Sequence, residues 1–205
     1  MKPVEPHERL LNRELSWLAF NHRVLQLAQD AHRPILERAK FLAIFSTNLD
    51  EFVQVRLSGL QEQLQAGVRT TTADGMRTDD QLDAVRAEIQ RLVEHHTEVF
   101  TTEVAPELAA NGVVFSDWAD LDDDDRKYVV DVFQTHVFPV LTPLAVDPAH
   151  PFPYISNLSL NLAVTVEDPA TLEQRFARVK VPPLLPRFVV MPDGERFVAL
   201  EQVIA

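Results

Sequence analysis

Residues 41–56 read FLAIFSTNLDEFVQVR, and the fold of the first half turns on whether this stretch is one helix or two. An apolar run suits a buried helix as far as Ser46. Asn48, Leu49, Asp50 and Glu51 then bring polar groups into it before Phe52 and Val53 resume. Asn48 is a preferred N-cap residue, and Glu51 three positions on completes the capping-box spacing. One helix can therefore end near Ser46 and another begin at Asn48. A break inside an apolar stretch strips backbone groups of their partners, so it calls for a tertiary reason. The second reading supplies one: an amide beside a helix N-terminus offers a donor and an acceptor that suit the edge of a base such as adenine.

Working outward, NRELSWLAFNHRVLQLAQD places Leu15, Leu18, Ala19, Val24, Leu25 and Ala28 at helical spacing, with Trp17 and Phe20 widening the buried face. Pro34 suits the first turn of a second helix, carrying Ile35, Leu36, Ala39, Leu42, Ala43 and Ile44. After Glu51 the pattern continues through Phe52, Val53, Leu57, Leu60 and Leu64 to Gly67. VRTTTADGMRTDD is a loop, expected to be mobile. Thr78 or Asp79 is expected to cap a long helix bearing Leu82, Val85, Ile89, Leu92, His96 and Val99, a seam suited to a helical bundle.

Beyond Gly112 the pattern changes. Asp122 can cap a helix through Tyr128, Val132, Phe133 and Val137, with the run from Asp122 to Asp125 a solvated first turn. Pro139, Pro143, Pro148, Pro151 and Pro153 impose extended backbone, neither helix nor central strand. NLSLNLAVTV alternates strictly and reads as the best strand, FARVKV is a second, and RFVVMPDGERFVAL reads as two strands joined by a turn. The chain stops at LEQVIA and reads as ending in mid-domain. The fold class is α+β. A helical domain at 1–112 is followed by a mixed α/β domain at 113–205, incomplete, with a small, mainly antiparallel sheet.

Absences narrow the chemistry. The 205 residues, 46% hydrophobic and 24% charged, are those of an ordinary globular protein. No cysteine occurs, which removes disulfides, thiolate metal sites and cysteine nucleophiles and favours a reducing compartment. The N-terminal prolines and charges do not make a signal peptide, and no apolar run reaches the ~18 residues of a membrane span. With 31 acidic against 19 basic residues, the net charge of -12 repels polyanions, and no basic patch for nucleic acid stands out. The five glycines are too scattered for a phosphate-cradling loop. None of the seven histidines forms an HExxH pair, and no GxSxG elbow is present. His95 and His96 read as bundle residues. His150, in the proline-rich loop DPAHPFPY, is either a functional loop residue or a turn-filler.

Three segments, NRELSWLAFNHRVLQLA, RPILERAKFLAIFSTNLDEFVQVRLSGL and LTPLAVDPAHPFPYISNLSLNLAV, resemble the N-terminal part of the large bacterial polyphosphate kinase. The likeness runs from about residue 11 to the end, weakest at 68–80 and 167–178. It implies an enzyme that reversibly transfers the terminal phosphate of ATP to polyphosphate through a phosphohistidine, with magnesium. It also implies homo-oligomer contacts through a head domain and a cytoplasmic location, peripheral membrane association allowed. Within these residues no catalytic histidine and no metal ligand is expected. Neither ATP nor magnesium is expected to be held by this portion alone, which should be inactive. Asn48 carries over as the residue lining the adenine side of the nucleotide pocket. Asp50 and Glu51 are expected to be structural, capping or paired with Arg56 or a neighbouring helix. The competing reading is a non-catalytic interaction or dimerisation module in which Asn48 only caps a helix.

Overall fold

The computed structural model describes residues 9–68, 70–146 and 152–205. Helix α1 (Arg13–Ala28) starts where Asn12 accepts the backbone N–H groups of Glu14 (3.0 Å) and Leu15 (3.1 Å) on Oδ1. Such a cap satisfies two of the four donors a helix start leaves free. Helix α2 (Ile35–Phe52) follows Pro34. The two helices run antiparallel, since steps back along α1 meet steps forward along α2. Ala28 meets Arg38, Asn21 meets Phe45 and Asn48, Trp17 meets Phe52, and Glu14 meets Arg56.

Helix α2 does not break at Asn48. It continues through a π-helical turn at Val53–Leu57 into α3 (Ser58–Gln65). The capping reading of Asn48 and Glu51 is corrected, because a mid-helix N–H already has its i−4 carbonyl. Asn48 instead donates from Nδ2 across to Asn21 Oδ1 at 3.0 Å. The real irregularity lies five residues on, where the π turn takes in an extra residue.

The buried stripe of α2 is Arg38, Leu42, Phe45, Leu49 and Phe52, at four-three-four-three spacing. Leu36 and Ile44, expected inside, are exposed. The stripe is set by Arg38, whose Nε donates to Ala28 O at 2.6 Å, an orphan carbonyl of the last turn of α1. Its Nη2 reaches Glu103 at 3.0 Å and its Nη1 reaches Glu107. Those carboxylates belong to a second π turn (Phe100–Val104) and to α5 (Ala105–Ala110).

Helix α4 (Thr78–Val99) buries Leu82, Val85, Leu92 and Val99, and the expected seam holds. The N-cap position is Arg77, not Thr78 or Asp79; Thr78 Oγ1 donates to Thr70 O at 3.0 Å. The loop before it is bridged, with Thr71 paired to Arg77 and Asn12 Nδ2 3.3 Å from Asp74. His96 stacks on Phe45 (centroids 5.2 Å apart) with Nε2 3.3 Å from Leu42 O and 3.2 Å from Ser46 Oγ. Because Leu42 O only accepts, Nε2 carries the ring proton. Burial pushes the His96 pKa below its ordinary value, against the raising effect of the Leu42 carbonyl.

Contacts divide the chain into two units, Met1–Asn111 and Gly112–Ala205. The second begins with β1 (Val114–Ser116), a three-residue strand too short to show alternation. In α6 (Asp123–Val132) the expected cap is present: Asp122 Oδ1 accepts from Asp124 N (3.0 Å) and Asp125 N (2.9 Å). Asp125 is not a solvated member of the acidic run. It is buried and accepts both Nη groups of Arg196, Nη2 at 2.8 Å. Asp193 also accepts from Arg196 and is held at about 2, first by the backbone N–H of Arg196, then by its guanidinium.

Among the described residues the strands make two three-stranded sheets, so the antiparallel character expected of one sheet is spread over two. In the first, β4 (Gln174–Lys180) lies between β2 (Leu144–Val146) and β3 (Asn161–Glu167), all antiparallel. The proline-rich segment thus contributes an edge strand. In the second, β6 (Arg196–Ala199) is parallel to β1 and antiparallel to β5 (Phe188–Val190), the β5–β6 turn using Gly194 at φ 76°. The best-looking strand starts late, because Leu158 sits at φ 51° in a turn where Ser159 N donates to Ser156 O. Helix α7 (Leu200–Ile204) adds Val203 to the buried cluster of Val129, Met191 and Val198, and Leu200 to that of Val137 and Val181. His150 lies outside the described residues.

Two outcomes follow from the buried polar groups of the helical unit. Unfolded histidine takes its proton near pH 6.5, and folded His96 and His22 only below that. The unfolded state therefore binds more protons there, so stability is full above about pH 6.5 and falls as pH drops through the interval between the two values. Chemical denaturation between pH 7.5 and 5.5 should show this loss, and His96→Gln should flatten it. Arg38→Met should lower unfolding free energy by about 2–3 kcal/mol, the scale of hydrogen bonds to a charged donor, read as a lower denaturant midpoint.

Candidate functional site

The α1–α2 pair leaves a cavity of about 300 Å³ on one side, lined by Trp17, Phe20, Asn48, Glu51, Phe52, Val55 and Arg56. That is the lower end of the range for small-molecule sites. Its lining follows from helix geometry. Trp17 and Phe20 are three apart on α1. Asn48, Glu51, Phe52 and Val55 fall at i, i+3, i+4 and i+7, one face of a helix. The π turn carries Val55 and Arg56 on to the same mouth.

The floor is apolar and stiff. Phe52 is almost wholly buried and Trp17 stacks on it, centroids 4.6 Å apart at 19°. Phe20 is half exposed, with the Arg23 guanidinium 5.9 Å from its ring centroid. Flat apolar rings with one amide at the rim are the elements that take a planar heteroaromatic ligand.

The amide is Asn48. Asn21, wholly buried, donates from Nδ2 to Phe45 O at 3.1 Å, and its Oδ1 accepts Nδ2 of Asn48 at 3.0 Å. The Oδ1 of Asn48 and its second Nδ2 proton remain for the cavity. The mouth sets one cation against two carboxylates: Glu51 and Arg56 both line it, and Arg56 Nη1 is 3.5 Å from Glu14 Oε1. Arg56 thus pairs with Glu14, and the expected pairing with Asp50 or Glu51 is corrected. A single guanidinium opposed by two carboxylates is a poor seat for a triphosphate and leaves the cavity to a neutral group.

Of the residues read from the sequence, Asn48 stands in this cavity. His95 and His96 stand elsewhere, on α4. His95 Nε2 is 3.2 Å from Gln29 Oε1, its ring edge-on to His22 at 5.8 Å. Among the described residues no group of three or more His, Asp or Glu side chains converges as a metal site, and no helix is long and apolar enough to cross a membrane. Helical spacing puts Trp17 and Phe20 merely in a buried face and gives Asn21 no role. The signal for Asn21 was present: it occupies the apolar stripe of Leu18, Leu25 and Ala28, where a polar residue must find a buried partner.

The profile of the polyphosphate kinase N-terminal domain matches residues 10–116, more than half of the chain. The chain belongs to the polyphosphate kinase family. The profile of the polyphosphate kinase middle domain matches residues 124–205. Among curated relatives, the polyphosphate kinase of Synechocystis is 54% identical over 89% of this chain and 25% of its own length. That of Streptomyces coelicolor is 52% identical over 98% of this chain and 27% of its own. The crystal structure of polyphosphate kinase from Porphyromonas gingivalis matches with a TM-score of 0.81 at 31% identity, covering 98% of this chain and 30% of that one. The chain therefore spans between a quarter and a third of these relatives.

Two phenylalanines separate the roles of the cavity wall. Phe52→Ala should cost about 3–5 kcal/mol of stability, as for other buried aromatic truncations. Phe20→Ala should change stability by less than about 0.5 kcal/mol while weakening any ligand stacked there. Denaturant titration distinguishes the two, with a lowered midpoint for Phe52→Ala and a nearly unchanged one for Phe20→Ala.

Proposed function

We propose that this chain is the base-binding wall of the nucleotide site in an enzyme that moves the terminal phosphate of ATP to and from inorganic polyphosphate through a phosphohistidine. The single observation that carries the reading is Asn48, which lines the cavity beside Trp17, Phe20 and Phe52 with its Nδ2 bound to Asn21 and its Oδ1 left over for the cavity. The exocyclic amine of adenine donates to that oxygen, and the ring lies against Trp17 and Phe20. Residues 1–112 form the N-terminal domain in this reading, and 113–205 the first part of a head domain that brings subunits together.

The transfer chemistry lies outside this chain. His96 spends its ring proton on Leu42 O, and His95 meets the His22 ring edge-on. None of the three stands among the residues lining the cavity. ATP, ADP and polyphosphate are partners of the whole enzyme, of which this portion supplies the neutral end of one site.

In the full-length enzyme, Asn48→Ala should raise the Michaelis constant for ATP by about tenfold, the equivalent of one good hydrogen bond, with unchanged far-UV circular dichroism. Unaltered nucleotide affinity would reject the assignment. Residues 1–205 alone should make no polyphosphate from ATP, and synthesis by the purified portion would overturn the placement of the chemistry.

A further inference from the structure

We infer that Asn21, which does not line the cavity, decides which purine the cavity accepts by fixing the direction of the Asn48 amide; this rests on the base-wall reading above. The chain of hydrogen bonds starts from a backbone atom. Phe45 O accepts and cannot donate, so the Asn21 amide must turn Nδ2 toward it, at 3.1 Å. Only Oδ1 of Asn21 then remains for Asn48. That oxygen also accepts only, so Asn48 must turn its own Nδ2 inward, at 3.0 Å. Reversing Asn48 alone would set two oxygens face to face. Reversing both would oppose Asn21 Oδ1 to Phe45 O. Asn21 is 0% exposed, so no water relieves either conflict.

The outward edge of Asn48 is therefore polarised: an oxygen acceptor beside one remaining N–H. Adenine presents an amine donor at C6 beside a ring-nitrogen acceptor, the complement of that edge. Guanine and hypoxanthine present a carbonyl at C6 beside an N–H, the complement of the reversed amide. An Asn48 free to rotate would serve both kinds of base. Asn21 is thus a positioning residue, and the preference for a 6-amino purine is set by a hydrogen-bond chain that begins at a helix carbonyl. Recognition of this kind discriminates more sharply than shape, because the wrong base leaves buried polar groups unpaired.

The test is the ratio of kcat/KM for ATP over GTP in the full-length enzyme carrying Asn21→Leu, Asn21→Ser or Asn48→Ala. Both Asn21 variants should narrow the ratio by about tenfold, through the nucleotide KM, with the kcat for ATP little changed. A folded Asn21 variant with the wild-type ratio overturns the inference. If Asn48→Ala collapses the ratio while the Asn21 variants keep it, the base wall stands and the role of Asn21 falls. If Asn48→Ala also leaves the ratio unchanged, the base wall itself fails. Should neither Asn21 variant fold, the wild-type enzyme decides with purine riboside triphosphate, which lacks the 6-substituent, and inosine triphosphate. The expected order is ATP first and the 6-oxo compound last, and equal use of ATP and inosine triphosphate overturns the inference.

Discussion

A single buried amide governs the helical unit. Asn21 lies at the centre of the α1–α2 contact with no exposure to water, and its two polar atoms have one arrangement that satisfies both helices. A buried polar group left without a partner costs about 1–3 kcal/mol, so sliding α2 along α1 by one turn is opposed at this point as well as by packing. The same register brings Trp17 onto Phe52 and Glu14 to Arg56, and the cavity is what that register leaves at the end of the pair. Specificity of packing and the polarity of the cavity rim thus have one cause.

Arg38 plays the matching part at the other end of the hairpin. Its guanidinium fills three roles at once, closing the last turn of α1 and tying the second π turn and α5 through Glu103 and Glu107. Both carboxylates keep about two-fifths of their side-chain surface in water, so the ion pairs carry less desolvation cost than a fully buried set. In the second unit Arg196 does comparable work, joining Asp125 of α6 to Asp193 of the β5–β6 turn. Each unit is locked by one planar cation with several acceptors, which suits a fork of fixed donors.

Helix existence, the α4 seam, the Asp122 cap and the β5–β6 turn were legible because each rests on local chemistry: spacing, a short side-chain acceptor, a glycine at positive φ. The errors have a common physical origin. At Asn48 the capping motif was present and the cap was not, because an amide that finds a buried partner across the helix pair gains more than one capping a break in a continuous apolar helix. Hydropathy points Leu36 and Ile44 inward and Arg38 outward, because it does not register that a guanidinium with three partners can be buried. Alternation overstates the strand at Asn161, because it continues through a turn at Leu158. Strand β1 was missed because its pairing with β6 joins residues about eighty positions apart.

The family, the α+β class and the candidacy of Asn48 were determined by the sequence itself, since motif order and periodicity are properties of the chain. What only the tertiary structure decided is the direction of the Asn48 amide, the pairing of Arg56 with Glu14, and the aromatic floor of Trp17 and Phe52. These depend on which residues of α1 lie opposite which residues of α2. That register is set by Asn21 and Arg38 finding partners 24 and 10 positions away, a long-range hydrogen-bonding condition that no local pattern in the sequence encodes.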